Sequence, residues 1–268
     1  ELATLIRQAD GNKASVIVFP ELCVTGYSCG DLFFSKTLSD GVLEGIEYLL
    51  NETKDLNIIS IVGLPVFEGA HLLNCAAFLH RGRVLGVVPK TYIPNYGEFY
   101  ESRWFFSGEK ATIDEIEICG QKVPLSSNLI IDCGFLKIAA EICEDMWVST
   151  PPSAIHALKG ANIIFNLSAT NAVIGKSSYR KMLVKQRSFT SHCGYVFASA
   201  GVGESTTDTL YSAHMLIAEN GSLLVDEKQL SFESTVAYTE IDLDRLEADR
   251  KKRTTFDTVL EHKNKYRY

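Results

Sequence analysis

At 268 residues the chain falls between one large domain and two small ones. Its 46% hydrophobic and 22% charged residues, with 19 glycines, suit an ordinary folded chain and exclude disordered, collagen-like and small disulfide-stapled classes. A net charge of -7 argues against nucleic acid as a partner, because that affinity comes from neutralising phosphates with lysine and arginine.

Hydrophobic periodicity then gives the elements in chain order. Leu2, Leu5, Ile6 and Ala9 have helical spacing up to Asp10-Gly11, and "SVIVFPEL" reads as a buried strand ending at Pro20. A helix is expected from about Thr37 to Asp55, then a strand at "NIISIVGLP". The strands "LLNCAAFLH" and "RVLGVVPK" flank Arg81-Gly82-Arg83 and suit a hairpin. From Thr91 to Lys122 turn formers and aromatics dominate, which predicts a long functional loop with little regular structure.

Strands are predicted again at "NLIID", "LKIAAEIC" and "NIIFNLS", with helices at "PSAIHALKG" and from Gly175 to His192. The last third predicts strands at "YVFASAG", "AHMLIAEN", "SLLVDE" and "VAYTEID", then a charged helix from Leu243 to Arg253. Apolar strands covered on both faces, with helices between them, make a layered α/β sandwich with mixed sheets the expected architecture. No linker, repeat or composition break interrupts the chain, so one domain is expected over residues 1–268.

Seven cysteines without a CxxC pair suit a reducing compartment. No apolar run approaches the ~20 residues of a membrane helix, and no signal-peptide layout opens the chain. A cytoplasmic protein with no membrane partner is the expectation. His71, His80, His156, His192, His214 and His262 show no metal-ligand spacing, so no metal site is expected. There is no GxSxG elbow, and "GVGEST", around Gly201 and Gly203, lacks the lysine of a P-loop and reads as a turn.

Three apolar strands end in a reactive side chain: "SVIVFPE" at Glu21, "VLGVVPK" at Lys90 and "KIAAEIC" at Cys143. Strand ends are where α/β folds display reacting groups. Taken singly, each has a plain explanation as a surface carboxylate, a solvated lysine or a buried thiol. Cys143, however, stands among Glu141, Glu144 and Asp145, which disfavour a thiolate, so a working nucleophile there needs a base and a cation. Glu21 and Lys90 offer those two roles, a set suited to attack on an uncharged amide carbon.

"VIVFPELCVTGYSCGDLF", "PKTYIPNYGEFYESRWFFSG" and "EICEDMW" resemble the catalytic segments of the nitrilase, or carbon-nitrogen hydrolase, superfamily. More narrowly they are similar to the glutaminase domains of glutamine-dependent NAD synthetases, as are "NIIFNLSATNAVIGK", "TDTLYSAHMLIAENG" and "IDLDRLEADRKKRTTF" in the same order. The resemblance implies a four-layer α-β-β-α sandwich of the nitrilase type. It implies Glu21 as general base, Lys90 as oxyanion lysine, Cys143 as nucleophile and Glu101 as the carboxylate that orients the lysine. Tyr27, Tyr96 and Glu144 match positions around the glutamine pocket, Glu144 through its backbone N–H. Thr170 and Lys176 stand where the resembled domains carry a serine and an arginine.

By the same resemblance the partners are L-glutamine, a C-terminal synthetase domain and further copies of the chain in a homo-oligomer. ATP, magnesium and deamido-NAD are expected only at that synthetase domain, and an opening strand is expected before the first helix. Two other functions compete: a free-standing amidase for a small amide or carbamoyl compound, and a non-catalytic interaction module in which Cys143 is merely buried.

Overall fold

The computed structural model describes residues 1–227, 230 and 232–256; His262 lies outside them. The elements in order are α1 (Leu2–Gly11), β1 (Val16–Val18), α2 (Lys36–Thr53), β2 (Ile59–Glu68), β3 (His71–His80), β4 (Arg83–Pro89), β5 (Glu115–Ile118), β6 (Gln121–Pro124) and β7 (Ile131–Asp132). They continue with β8 (Lys137–Ile142), α3 (Pro152–Leu158), β9 (Ile163–Ser168), α4 (Lys176–Thr190), β10 (Gly194–Ser199), β11 (Met215–Glu219), β12 (Ser222–Glu227) and α5 (Leu243–Lys252).

Period-2 alternation along the strands sets the layers. One sheet runs β1-β2-β3-β4 and another β12-β11-β10-β9-β8-β7. On the first, Ile59, Ile61, Ala76, Phe78 and Val88 face inward and meet Ile138, Ala140, Ile142, Phe165 and Leu167 of the second. The intervening residues Val62, Leu64, Leu73, Ala77 and Leu79 face the other way and bury the apolar stripes of α1 and α2, including Ile6, Val42, Ile46 and Leu50. On the far side of the second sheet Ala139, Ile164, Tyr195, Phe197 and Leu216 cluster with Val184 of α4, while α3 lies on β8 and β9. The result is the α-β-β-α sandwich with mixed sheets: β1 and β2 are parallel, β2, β3 and β4 antiparallel, and β8, β9 and β10 parallel.

The expected hairpin between β3 and β4 forms, turning through Arg81 at φ 46° and Gly82 at φ 74°. The segment 91–122 is less irregular than expected, since Glu115 to Pro124 pair as the β5–β6 hairpin, with Cys119 and Gly120 at positive φ in its turn. "VAYTEID" forms no strand: its Val236 and Ile241 pack into two different cores, but no neighbour among the described residues offers a ladder. A cavity of about 880 Å³ runs beside β1, walled by Val16, Val18, Phe135, Ile163, Val196 and Val236.

Candidate active site

Three strand ends converge where the two sheets meet. Beyond β1 the chain turns sharply at Pro20-Glu21-Leu22, with Leu22 at φ 53°. The turn passes so close to β2 that a Cβ on Gly63 would stand 2.3 Å from the Leu22 nitrogen. Glu21 thereby crosses to the second sheet, its amide donating to the Ser168 carbonyl at 3.4 Å and its Oε2 accepting from the Ala169 amide at 2.8 Å. Lys90 directly follows β4, and its amide donates to the Asn74 carbonyl at 2.7 Å. Cys143 directly follows β8 and opens a 3₁₀ turn, Cys143–Met146, with φ at 44°. A non-glycine residue held there costs of order 1–3 kcal/mol, a conformation proteins keep where a side chain must be aimed.

Lys90 is fully buried and its Nζ lies 2.7 Å from Glu21 Oε1 and 2.7 Å from Glu101 Oε2. The solvated lysine and the surface carboxylate considered for these positions are therefore both replaced by a buried ion cluster. Glu101 sits in a 3₁₀ turn, Glu101–Arg103, and takes a further bond at 2.7 Å from the Tyr27 hydroxyl. One ammonium between two buried carboxylates leaves an excess negative charge. Burial accordingly pushes the Glu101 carboxyl up to about 7, with Lys90 opposing and Glu21 adding to the rise. The Lys90 ammonium is held charged, because its two carboxylates outweigh the cost of its burial.

Cys143 is buried, and burial first, then Glu21, pushes its thiol well above the ordinary value, while Lys90 and the Ala169 N–H oppose. The resting group is thus a neutral thiol beside a carboxylate able to take its proton as it attacks. Around it stand the residues assigned to the substrate. Tyr96 donates to both oxygens of Glu144, at 2.8 and 2.9 Å. Lys176, in the first turn of α4, donates to Asn171 Oδ1, lies 4.0 Å from Glu98, and stands over the rings of Phe99 and Trp147. Thr170 is buried next to Ala169, its amide donating to Ser199 Oγ at 3.4 Å. Among the described residues no group of three or more His, Cys, Asp or Glu could hold a metal ion.

The sequence model of carbon-nitrogen hydrolases matches residues 1–251. The chain belongs to the carbon-nitrogen hydrolase family. This carbon-nitrogen hydrolase is 37% identical over 264 residues to the glutamine-dependent NAD(+) synthetase of Mycobacterium bovis, covering 96% of the chain and 38% of the relative. It is 31% identical over 242 residues to that of Aquifex aeolicus, covering 90% and 38%. It therefore spans 38% of the length of these curated relatives. A solved glutamine-dependent NAD(+) synthetase from Cytophaga hutchinsonii superposes with a TM-score of 0.77 at 29% identity, over 87% of this chain and 38% of that one. An amidase from Nesterenkonia AN1 shares the fold, with a TM-score of 0.68 at 16% identity over 85% and 78% of the two chains. The resemblance carried by the three segments is borne out at the level of family and fold.

Several residues were given no part by the sequence reading in positioning the site of this carbon-nitrogen hydrolase. Asn74 Nδ2 donates to Glu21 Oε1 at 2.7 Å, and its one signal was a polar residue inside the apolar run "LLNCAAFLH". Asp145 accepts from the Ile142 amide at 3.0 Å and the Tyr92 amide at 2.8 Å, tying the Cys143 turn to the chain beyond Lys90. Glu204, in the turn of "GVGEST", accepts from the amides of Tyr27 and Ser28 at 2.9 and 3.0 Å. Nothing local in the sequence announces that contact across 177 residues. Glu141, by contrast, faces the α3 side of its strand, where it accepts from the Ser153 amide and the Tyr195 hydroxyl, and takes no part in the site.

Proposed function

We propose that this chain hydrolyses the side-chain amide of L-glutamine through a thioester on Cys143, supplying ammonia to a synthetase domain in a longer protein. The observation that carries the reading is the buried Lys90, clamped between Glu21 and Glu101 beside the strained turn of Cys143. The names of the relatives at 37% and 31% identity support glutamine as substrate. The small-amide reading has less behind it, since the amidase likeness at 16% identity shows the fold alone.

In the first half-reaction Cys143 Sγ bonds to the amide carbon as Glu21 takes the thiol proton. The carbonyl electron pair moves onto oxygen, where Lys90 and the Glu144 backbone N–H steady it. A donor of this kind is worth about 10²- to 10³-fold in rate. As the carbonyl re-forms, the carbon–nitrogen bond breaks, and Glu21 passes its proton to the leaving nitrogen, giving ammonia and a γ-glutamyl thioester. Water then attacks the thioester as Glu21 takes its proton, and the released sulfur recovers that proton, leaving glutamate. Glu101 and Tyr27 hold Lys90 throughout.

On this reading ATP, magnesium and deamido-NAD belong to the synthetase domain, where the ammonia completes NAD. Cytoplasmic location and a homo-oligomer belong to the same reading. A single domain with an additional opening strand is also part of it: β1 pairs only with β2 among the described strands, and the cavity beside it has room for an extended segment.

Intact-mass labelling with a glutamine-mimicking chloroketone tests the reading, run beside Cys143→Ala and with excess glutamine as competitor. One adduct, lost in the variant and suppressed by glutamine, is expected. An adduct that glutamine does not suppress would point to the small-amide amidase. No adduct on a folded protein would leave the non-catalytic module.

A further inference from the structure

Asn74 is a polar side chain at a position where the strand pattern calls for an apolar one. On β3 it shares the inner face with Ala76 and Phe78, while its neighbours Leu73 and Cys75 face the helices, and it is fully buried. Its Nδ2 donates to Glu21 Oε1 at 2.7 Å. A carboxylate only accepts, so the atom turned to Glu21 is the donor, and the amide oxygen Oδ1 is left over. That oxygen is buried and has no hydrogen-bond partner among the described residues. A leucine has the same branching without that cost, so the fold gives up stability to keep one N–H on Glu21.

The two oxygens of Glu21 are held from opposite sheets. Oε1 accepts from Asn74 of β3 and, at 2.7 Å, from Lys90 just beyond β4, so both its lone pairs are engaged. Oε2 accepts once, at 2.8 Å, from the Ala169 amide just beyond β9. Cys143 stands on that same side: β8 and β9 are parallel neighbours with Ile142 level with Leu167, so Cys143 and Ser168-Ala169 leave the sheet side by side. The Ala169 N–H also favours a thiolate there. Lys90 cannot be the lasting anchor of Oε1. Its three protons already reach Glu21 Oε1, Glu101 Oε1 and Glu101 Oε2, at 2.7, 2.9 and 2.7 Å, and a developing oxyanion must draw one of them away.

We propose that Asn74 is a positioning residue for the reaction: it pins Glu21 Oε1 to the first sheet, so that Oε2 is the oxygen that takes the thiol proton. The S–H bond breaks towards Oε2 as sulfur bonds to the amide carbon, and the same oxygen returns the proton to the leaving nitrogen. The proposal rests on the reading of Glu21 as the base and deepens it. A tether that holds while Lys90 turns to the oxyanion keeps the base aimed through both half-reactions.

The test is Asn74→Leu in the full-length protein, read by steady-state ammonia release, by the rate at which a saturating glutamine-mimicking chloroketone alkylates Cys143, and by urea melts. The variant is expected to lower kcat and the alkylation rate together, about 10- to 100-fold, the worth of a hydrogen bond to a charged group, with little change in the KM for glutamine. The urea midpoint should hold or rise, because the unpaired oxygen is removed and Glu21 Oε1 keeps Lys90. An unchanged kcat overturns the proposal, and so does a loss confined to KM, which would make Asn74 a substrate contact. Glu21→Gln separates the tether from the base it serves. Alkylation as fast as wild type in Glu21→Gln removes the base itself, whereas slow alkylation there beside wild-type alkylation in Asn74→Leu removes only the tether. Should Asn74→Leu fail to fold, Asn74→Ala, which adds no atoms, carries the test through the same split of kcat from KM, and an unchanged kcat in it counts against the tether.

Discussion

The proton balance of the buried cluster rests on single side chains. The Glu101 carboxyl, pushed up to about 7, is protonated below that pH, and its ion pair with Lys90 then weakens. Ammonia release is therefore expected to fall as pH drops through about 7. Tyr27 donates to Glu101 at 2.7 Å and favours the ionised form. Its removal in Tyr27→Phe raises the carboxyl further, so the acid limb of the rate profile should move to higher pH. A shift of one pH unit corresponds to about 1.4 kcal/mol of lost preference for the anion. An acid limb that stays in place, or moves to lower pH, would separate Tyr27 from the lysine cluster.

At the scale of elements, the site depends on how closely the turn after β1 lies on β2. A methyl on Gly63 would come within 2.3 Å of the Leu22 nitrogen and 2.8 Å of the Pro20 carbonyl. Backbone atoms cannot swing aside as a flexible side chain can. Gly63→Ala is expected to cost at least the 1–3 kcal/mol typical of overpacking, roughly, and to displace Glu21. Gly41 in α2 makes the comparison, since nothing lies within 4 Å of a Cβ there. Gly41→Ala should gain about 0.5–1 kcal/mol from helix propensity. Urea melts read both, and ammonia release should collapse only in Gly63→Ala. The sequence showed a glycine in an apolar strand, and nothing in it said which backbone would come to lie against it.

Across the whole molecule, the two sheets meet through residues such as Phe78, fully buried on the inner face of β3. Phe78→Ala should cost about 3–5 kcal/mol through lost burial and the cavity left behind. If the sandwich unfolds as one unit, the urea midpoint falls and the slope stays unchanged. Two separate transitions would show that the sheets unfold independently and that the site between them is lost with the first.

Strand and helix periodicity is a local property, so most of the framework was legible residue by residue. The run "EIEICGQKVP" also alternates about a Cys-Gly turn, but the turn formers around it hid the β5–β6 hairpin. "VAYTEID" shows the limit from the other side, because a strand needs a partner and its own pattern cannot supply one. Three strands ending in Glu21, Lys90 and Cys143 were likewise plain in the sequence, and the family segments around them carried the site assignment. Their convergence was not plain. Glu21 and Lys90 are separated by 69 positions along the chain, and only the packing of the sheets puts them 2.7 Å apart and strips both of water. The order of residues fixed which groups were available; the fold decided their burial, and with it the neutral thiol of Cys143 and the raised Glu101 carboxyl. Burial and neighbouring charge set a group's protonation, and both are properties of three-dimensional packing.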